Sequence, residues 1–392
     1  MNVRSAVSTF SRCAEALFRR EHIPTFSGWA GAAGRRVREE LRFHYPRVAV
    51  EISAVSVKAV RLEPVLPPRA PEFLLHHAER PLEEGVVDVN LLDMEVARPA
   101  DVAQGVARAL EAVGGLEAEA SVLFPSLVAR AAFLEIESLP ASPAERLDMV
   151  RWKIAGKLPY SAQLARIVYE VQPAVNGKHP VFAVAVKEAI VLAMEEIFQT
   201  LGIHAGFLQP AGFALLYAAP RPGRGTLHLI ADEHSLLLAV TCGDEVRFLR
   251  TKNMRHLSAL RPDAGVGTTE DEFTLPISAA EEGSALPNST TEDGSREGYA
   301  EGLRRELEAT LAYLRQQGER FAFDVCRLSA GGMGEVVGKD AVEEAVGVPV
   351  ESYPWPEKVR GGEAVDLPAQ PGGPPVRDAL AALVWTAMGR EA

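Results

Sequence analysis

A strand–turn–strand pattern opens each half of this chain, and it restricts the possible folds more than any other feature. From Arg47 the apolar positions alternate as Val48, Val50 and Ile52, then Val57, Val60 and Leu62, around a short polar turn at 53–56. The arrangement returns at 226–230, 236–241 and 245–249, with turns at 231–235 and at Gly243-Asp244. Alternation with a period of two, flanked by turn residues, marks antiparallel hairpins. Each set leads on to helical periodicity: 100–113, stopped by Gly114-Gly115, and 299–317, with Leu303, Leu307, Leu311 and Leu314 on one face. At 392 residues the chain exceeds one simple core, so two similar α/β lobes around a cleft are expected.

Between the two patterns lie further elements. Strands are expected at 120–124 and 129–136, and Ser142-Pro143 opens a helix running to Lys157 and closed by Pro159. A hairpin follows at 168–172 and 181–186, then a helix over 187–201 that Gly202 ends. A strand at 325–328, a Pro/Gly-rich link at 368–375 and a short apolar helix at 378–388 close the chain.

The net charge of −12 is concentrated. Residues 258–298 carry nine acids against Arg261 and Arg296, which accounts for seven of the twelve negative charges. That stretch is rich in Gly, Ser, Thr and Pro and poor in large apolar groups, so it is expected to be a mobile loop. The remainder is nearly balanced, and neither nucleic acid nor an anionic membrane is indicated for the body. Residues 1–47 hold nine arginines and four glutamates, with Phe10, Cys13, Ala14, Leu17 and Phe18 at helical spacing. An amphipathic helix touching a membrane or a partner, and a helix lying on the protein's own surface, both fit. Cys13, Cys242 and Cys326 are scattered without CxxC pairing, which argues against a disulfide framework or a zinc site. No run of about 20 apolar residues and no secretory signal pattern occur, so a soluble cytoplasmic protein is expected.

Three places could carry chemistry. Glu51-Ile52-Ser53-Ala54-Val55-Ser56-Val57-Lys58 is a turn with two hydroxyls and a lysine, able to cradle and neutralise a phosphate, or an ordinary hairpin with its lysine in water. Asp232, in the second hairpin turn beside Glu233 and His234, could hold Mg²⁺ through water or orient an attacking water, or simply be a polar turn residue. Ser329-Ala330-Gly331-Gly332-Met333-Gly334 ends a strand, and its glycines permit close approach to a flat or phosphorylated ligand or form a bare turn. It is neither a Walker A loop nor a GxGxxG fingerprint.

The order of these places resembles the actin-like ATPase superfamily, and the wording between them resembles its PilM-type pilus assembly members. Glu51–58 is similar to that family's Asp-Ile-Gly-Ser-Ser-Ser-Val-Lys. Residues 129–140 resemble its arginine-containing strand ending in Leu-Pro. Trp152-Lys153-Ile154, with Lys157-Leu158-Pro159-Tyr160, resembles its helix running from a tryptophan to Ile-Pro-Phe. Leu208-Gln209-Pro210, Arg250 and 328–334 match its crossover, its Phe-x-Arg strand end and its Leu-Ser-Gly-Gly-Gly. The departures are Glu51 for Asp, Ser53 for the hairpin glycine, no glycine near Asp232, and Ala330 for the first glycine of the adenosine motif.

The resemblance implies a two-lobed actin-like ATPase (ribonuclease H-like) fold with a small inserted subdomain in the first lobe. The expected units are an N-terminal basic extension at 1–45, a first lobe at 46–205 with the insertion at about 126–200, and a second lobe at 206–392. It implies ATP and Mg²⁺ as ligands, with Ser53, Ser56, Lys58, Asp232, Gly331, Gly332, Met333 and Gly334 as nucleotide-binding residues and Asp232 as the catalytic candidate. The departures point to a pseudo-ATPase. The implied role is a cytoplasmic adaptor of a type IV pilus or related secretion machine. It would bind the N-terminal peptide of a PilN-like inner-membrane partner in a groove around residues 120–160 and reach the membrane through that partner. An active ATPase and a self-associating cell-division actin homologue are the alternatives.

Overall fold

The computed structural model describes residues 46–65, 72–91, 93–115, 117–174, 177–218, 223–232, 235–243, 245–254, 296–329, 338–356, 359–361 and 376–388. The basic extension, nearly all of the acidic stretch and the glycine turn at 330–337 lie outside them.

Two sheets carry the same strand order. In the first lobe, β1 (Val48–Ile52), β2 (Ser56–Val65) and β3 (Glu72–Pro81) form an antiparallel meander. A second hairpin, β4 (Val87–Val89) and β5 (Met94–Val96), precedes helix α1 (Pro99–Ala112), and β6 (Glu119–Phe124) then pairs parallel with β1. Strand β10 (His204–Pro210) adds parallel to β6. The second lobe repeats this with β11 (Gly225–Ala231), β12 (Ser235–Cys242) and β13 (Glu245–Asn253) as the meander. Helix α5 (Arg296–Gln316) follows, then β14 (Val325–Ser329) parallel to β11 and β15 (Val350–Ser352) parallel to β14. The orders β3-β2-β1-β6-β10 and β13-β12-β11-β14-β15 therefore coincide.

The central strands are apolar on both faces because both faces are covered. In β12 the positions from Ser235 to Thr241 are all buried, and Leu238 and Val240 face α5 while Leu237 and Ala239 join the first-lobe core. Helix α6 (Lys339–Val346) completes the outer layer.

The insertion is a three-stranded antiparallel sheet: β7 (Arg130–Ile136), β9 (His179–Lys187) and β8 (Ala165–Val171), with β9 in the centre. Helix α2 (Pro143–Ala155) covers one face, and Ser142 caps it by accepting from the Glu145 backbone N–H at 3.5 Å. On the other face Phe182 and Val184 pack into the first-lobe core, and Phe182 meets the Phe133 ring with centroids 5.0 Å apart. Helix α3 (Glu188–Thr200), which follows β9, buries Ile190, Val191, Met194 and Phe198 in the first-lobe core. Gly202, at φ +71°, ends the chain's passage from this helix into β10.

Helix α4 (Ala211–Ala218) belongs to the first-lobe core, and the chain's end returns there. Strand β16 (Val359–Gly361) pairs parallel with β3, whose outer edge would otherwise be open. Helix α7 (Val376–Met388) lays Leu380, Leu383 and Val384 against α4, β1 and β2. Gly212 of α4 sits between Ser126 and the second lobe's Leu237, and its N–H donates to Ser126 Oγ at 2.7 Å. A Cβ there would stand 2.8 Å from that oxygen and 3.1 Å from Leu237 Cδ1, so a larger residue would have to displace these side chains.

Candidate functional site

The first hairpin turn is closed by its own side chain. Ser53 N–H donates to Ser56 O at 3.0 Å. The Ser53 hydroxyl accepts from the backbone N–H groups of Val55 (3.3 Å) and Ser56 (3.1 Å) and donates to Ser56 O at 3.1 Å. Serine hydroxyls form such local turns because the short side chain reaches the backbone two and three residues on. Two of the N–H groups that could cradle a phosphate already have an acceptor. The Ser56 hydroxyl is engaged as well, donating to Glu79 Oε1 at 2.7 Å.

The second hairpin is the same turn built again. Asp232 N–H donates to Ser235 O at 2.9 Å, and the Asp232 carboxylate accepts from Ser235 N–H through Oδ1 and from Ser235 Oγ through Oδ2, each at 2.6 Å. The pairing registers fix the equivalence. Ile52 pairs with Val57 around 53–56, and Ala231 pairs with Leu236 around 232–235. Asp232 thus occupies the position of Ser53, which the resemblance assigns to the hairpin glycine. The position of Glu51 is taken by Ile230, a buried apolar residue, and that of Lys58 by Leu237. The two turns have the same length.

Electrostatics at the cleft are acidic. Lys58 stands directly across the sheet from Glu51 on one side and Glu79 on the other, which places the three side chains on one face. Desolvation raises the pKa of half-buried Glu51; Lys58 opposes the rise, while Asp232 and Glu79 add to it. Asp232 of the second hairpin lies within electrostatic range of Glu51 on the first. A Mg²⁺-bound triphosphate needs free N–H donors and a surplus of positive charge. Here Ser53 caps two of the first turn's N–H donors and Glu51 and Glu79 flank Lys58, so the first hairpin offers a phosphate few open donors and little surplus positive charge. Among the described residues no group of His, Cys, Asp and Glu is placed to hold a metal.

Ser53, Ser56 and Lys58 lie on the first hairpin and Asp232 on the second, within electrostatic range of Glu51, while Gly331, Gly332, Met333 and Gly334 lie outside the described residues. Ser329, the last residue of β14, pairs with Ile230, two residues before Asp232. Sequence reasoning missed Glu79, because β3 was not recognised and its register against Lys58 was invisible without it. Away from the cleft, the insertion exposes Trp152 (76%) on α2 and Leu164 (62%) in the adjoining turn at 162–164. Large exposed apolar groups placed together on a surface favour contact with a partner.

The fold and the paired hairpins define a two-lobed actin-like ATPase fold. The chain is similar over 87% of its length to 99% of a chain from the PilM-PilN type IV pilus biogenesis complex, with TM-score 0.61 and 20% identity. It also aligns with the ethanolamine utilization protein EutJ from Carboxydothermus hydrogenoformans, over 99% of each chain, with TM-score 0.42 and 10% identity. A Bacteroides thetaiotaomicron protein with actin-like ATPase fold and unknown function aligns over 78% of this chain and 90% of its own, with TM-score 0.42 and 6% identity. No family model and no curated protein matches the sequence. Among the described residues no helix is long and apolar enough to cross a membrane.

Proposed function

We propose that this chain is a PilM-like cytoplasmic adaptor of a type IV pilus or related secretion machine, and that it works without ATP hydrolysis. Its partner is the N-terminal peptide of a PilN-like inner-membrane protein, taken up where the insertion meets the first lobe. The observation that carries the pseudo-ATPase part is the self-capping of both hairpins, by Ser53 and by Asp232. The likeness to a PilM-PilN complex supports the partner, and the exposed Trp152 and Leu164 supply apolar surface on the insertion. An adaptor of this kind keeps the two-lobed body as a rigid platform and uses side-chain pockets and strand edges for an extended peptide.

Calorimetric titration of the intact chain with a synthetic N-terminal peptide of the PilN-like protein tests the reading. Micromolar binding that is indifferent to added Mg·ATP is expected. Absence of binding, or binding that appears only with Mg·ATP, would count against it.

A further inference from the structure

Among the described residues the two most exposed large apolar side chains both lie on the insertion, away from the cleft. Trp152 stands on α2, and Leu164 lies in the turn at 162–164 that packs beside that helix. Their surroundings are basic. Residues 143–164 hold Glu145 and Asp148 against Arg146, Arg151, Lys153 and Lys157, a local net of +2 in a chain of net charge −12. Asp148 is paired with Arg151 at 3.1 Å, and the partly exposed Lys153 and Lys157 follow the tryptophan in sequence.

Burying two such side chains supports a dissociation constant of only millimolar order, too weak to hold a separate protein at cellular concentration. A segment of the same chain meets the surface at an effective concentration of that order, so tethering makes up the difference. One segment has the matching chemistry. Residues 270–277 read Glu-Asp-Glu-Phe-Thr-Leu-Pro-Ile: three acids, then Phe273, Leu275 and Ile277 at alternate positions, which an extended chain presents on one side. Phe273 is the one aromatic residue of 258–298. Its tether also suffices. About 19 residues separate Phe273 from Met254 after β13, roughly 60 Å of extended chain, against a radius of gyration of about 21 Å for a body of this size. Strand β13 itself touches the insertion, where Gln172 Nε2 donates to the Val246 carbonyl at 2.8 Å. Residues 1–47, with nine arginines and four glutamates, have the wrong sign of charge for a basic surface. We propose that residues 270–277 dock on the surface of Trp152 and Leu164, with Phe273, Leu275 and Ile277 on the apolar pair and the three acids toward Lys153 and Lys157. A partner that uses Trp152 therefore competes with the chain's own acidic segment.

The test uses the intact chain with photoreactive p-benzoylphenylalanine in place of Trp152, a position exposed enough to accept it without loss of the fold. An equal mixture of isotopically light and heavy chains is irradiated at low concentration, digested and read by mass spectrometry. Cross-links from position 152 to residues 270–277 of a chain with the same label are expected. Their yield should fall about tenfold or more when Phe273→Ser, Leu275→Ser and Ile277→Ser are combined, the loss that deleting three buried apolar side chains implies. Four results overturn the proposal: no cross-link, cross-links only to 1–47 or to another part of the chain, cross-links joining light to heavy chains, or a yield indifferent to the triple replacement. The mixture contains no partner peptide, so failure here leaves the adaptor reading standing.

Discussion

Asp232 grips Ser235 with both carboxylate oxygens, each at 2.6 Å, one on the backbone N–H and one on the hydroxyl. A carboxylate set to bind a water-coordinated metal or to activate water needs its oxygens directed into the cleft. Here they close a turn, as the Ser53 hydroxyl does in the other lobe. Both hairpins have become self-sufficient, and this sets the expected response to mutation.

Removing either cap should cost stability and nothing else. Ser53→Ala and Asp232→Ala are each expected to lower unfolding free energy by about 1 kcal/mol, the usual worth of such a cap. Urea titration measures the loss, and peptide affinity should not move. Ser53→Gly restores the glycine expected at that position but leaves the second hairpin capped, so Mg·ATP binding should not appear.

Glu51 should be a liability at neutral pH. A carboxyl whose folded pKa is raised above its ordinary 4.5 contributes stability below that value and loses it as pH climbs through the raised one. The net shift is upward despite Lys58, so the charged form is disfavoured on balance. Glu51→Gln is therefore expected to stabilise the protein by on the order of 1 kcal/mol at about pH 7, with the gain vanishing near about pH 4. Chemical denaturation at the two pH values checks this, and a loss at neutral pH would show that the pairing with Lys58 dominates.

Phe182 ties the insertion to the first lobe. It is 1% exposed and packs on Phe133. Phe182→Ala should cost about 3–5 kcal/mol and, if the chain is the adaptor proposed above, weaken peptide binding by loosening the insertion from the first lobe. Thermal unfolding followed by peptide titration separates the two effects.

Trp152 should behave in the opposite way. With 76% of its surface exposed, Trp152→Ala is expected to change stability by less than about 0.5 kcal/mol. A tenfold or greater loss of partner binding in pull-down or calorimetry would place Trp152 in an interface.

Much of the fold was legible because its signals are local. The alternation from Val48 to Leu62, the Ser142-Pro143 start of α2 and the Gly202 stop each rest on chemistry within a few residues. Strand β3 was missed because Glu72–Pro81 carries His76, His77, Glu79 and Arg80 among its apolar positions, which breaks the alternation. The return of β16 and α7 to the first lobe depends on pairing with β3 and packing on α4, contacts far apart in sequence that no local pattern encodes. At the cleft, the sequence marked Ser53, Lys58 and Asp232 by residue type alone. That Ser53 and Asp232 turn inward on their own backbones is a matter of side-chain geometry, and Glu79 reaches Ser56 only through the register of β3.

The central claim is that the phosphate end of the cleft is closed to nucleotide, and titration of the intact chain with Mg·ATP, with phosphate release followed in the same samples, tests it most directly. No tight binding and no release above the uncatalysed background are expected, with or without the partner peptide. Tight Mg·ATP binding with turnover, abolished by Asp232→Ala, would contradict it.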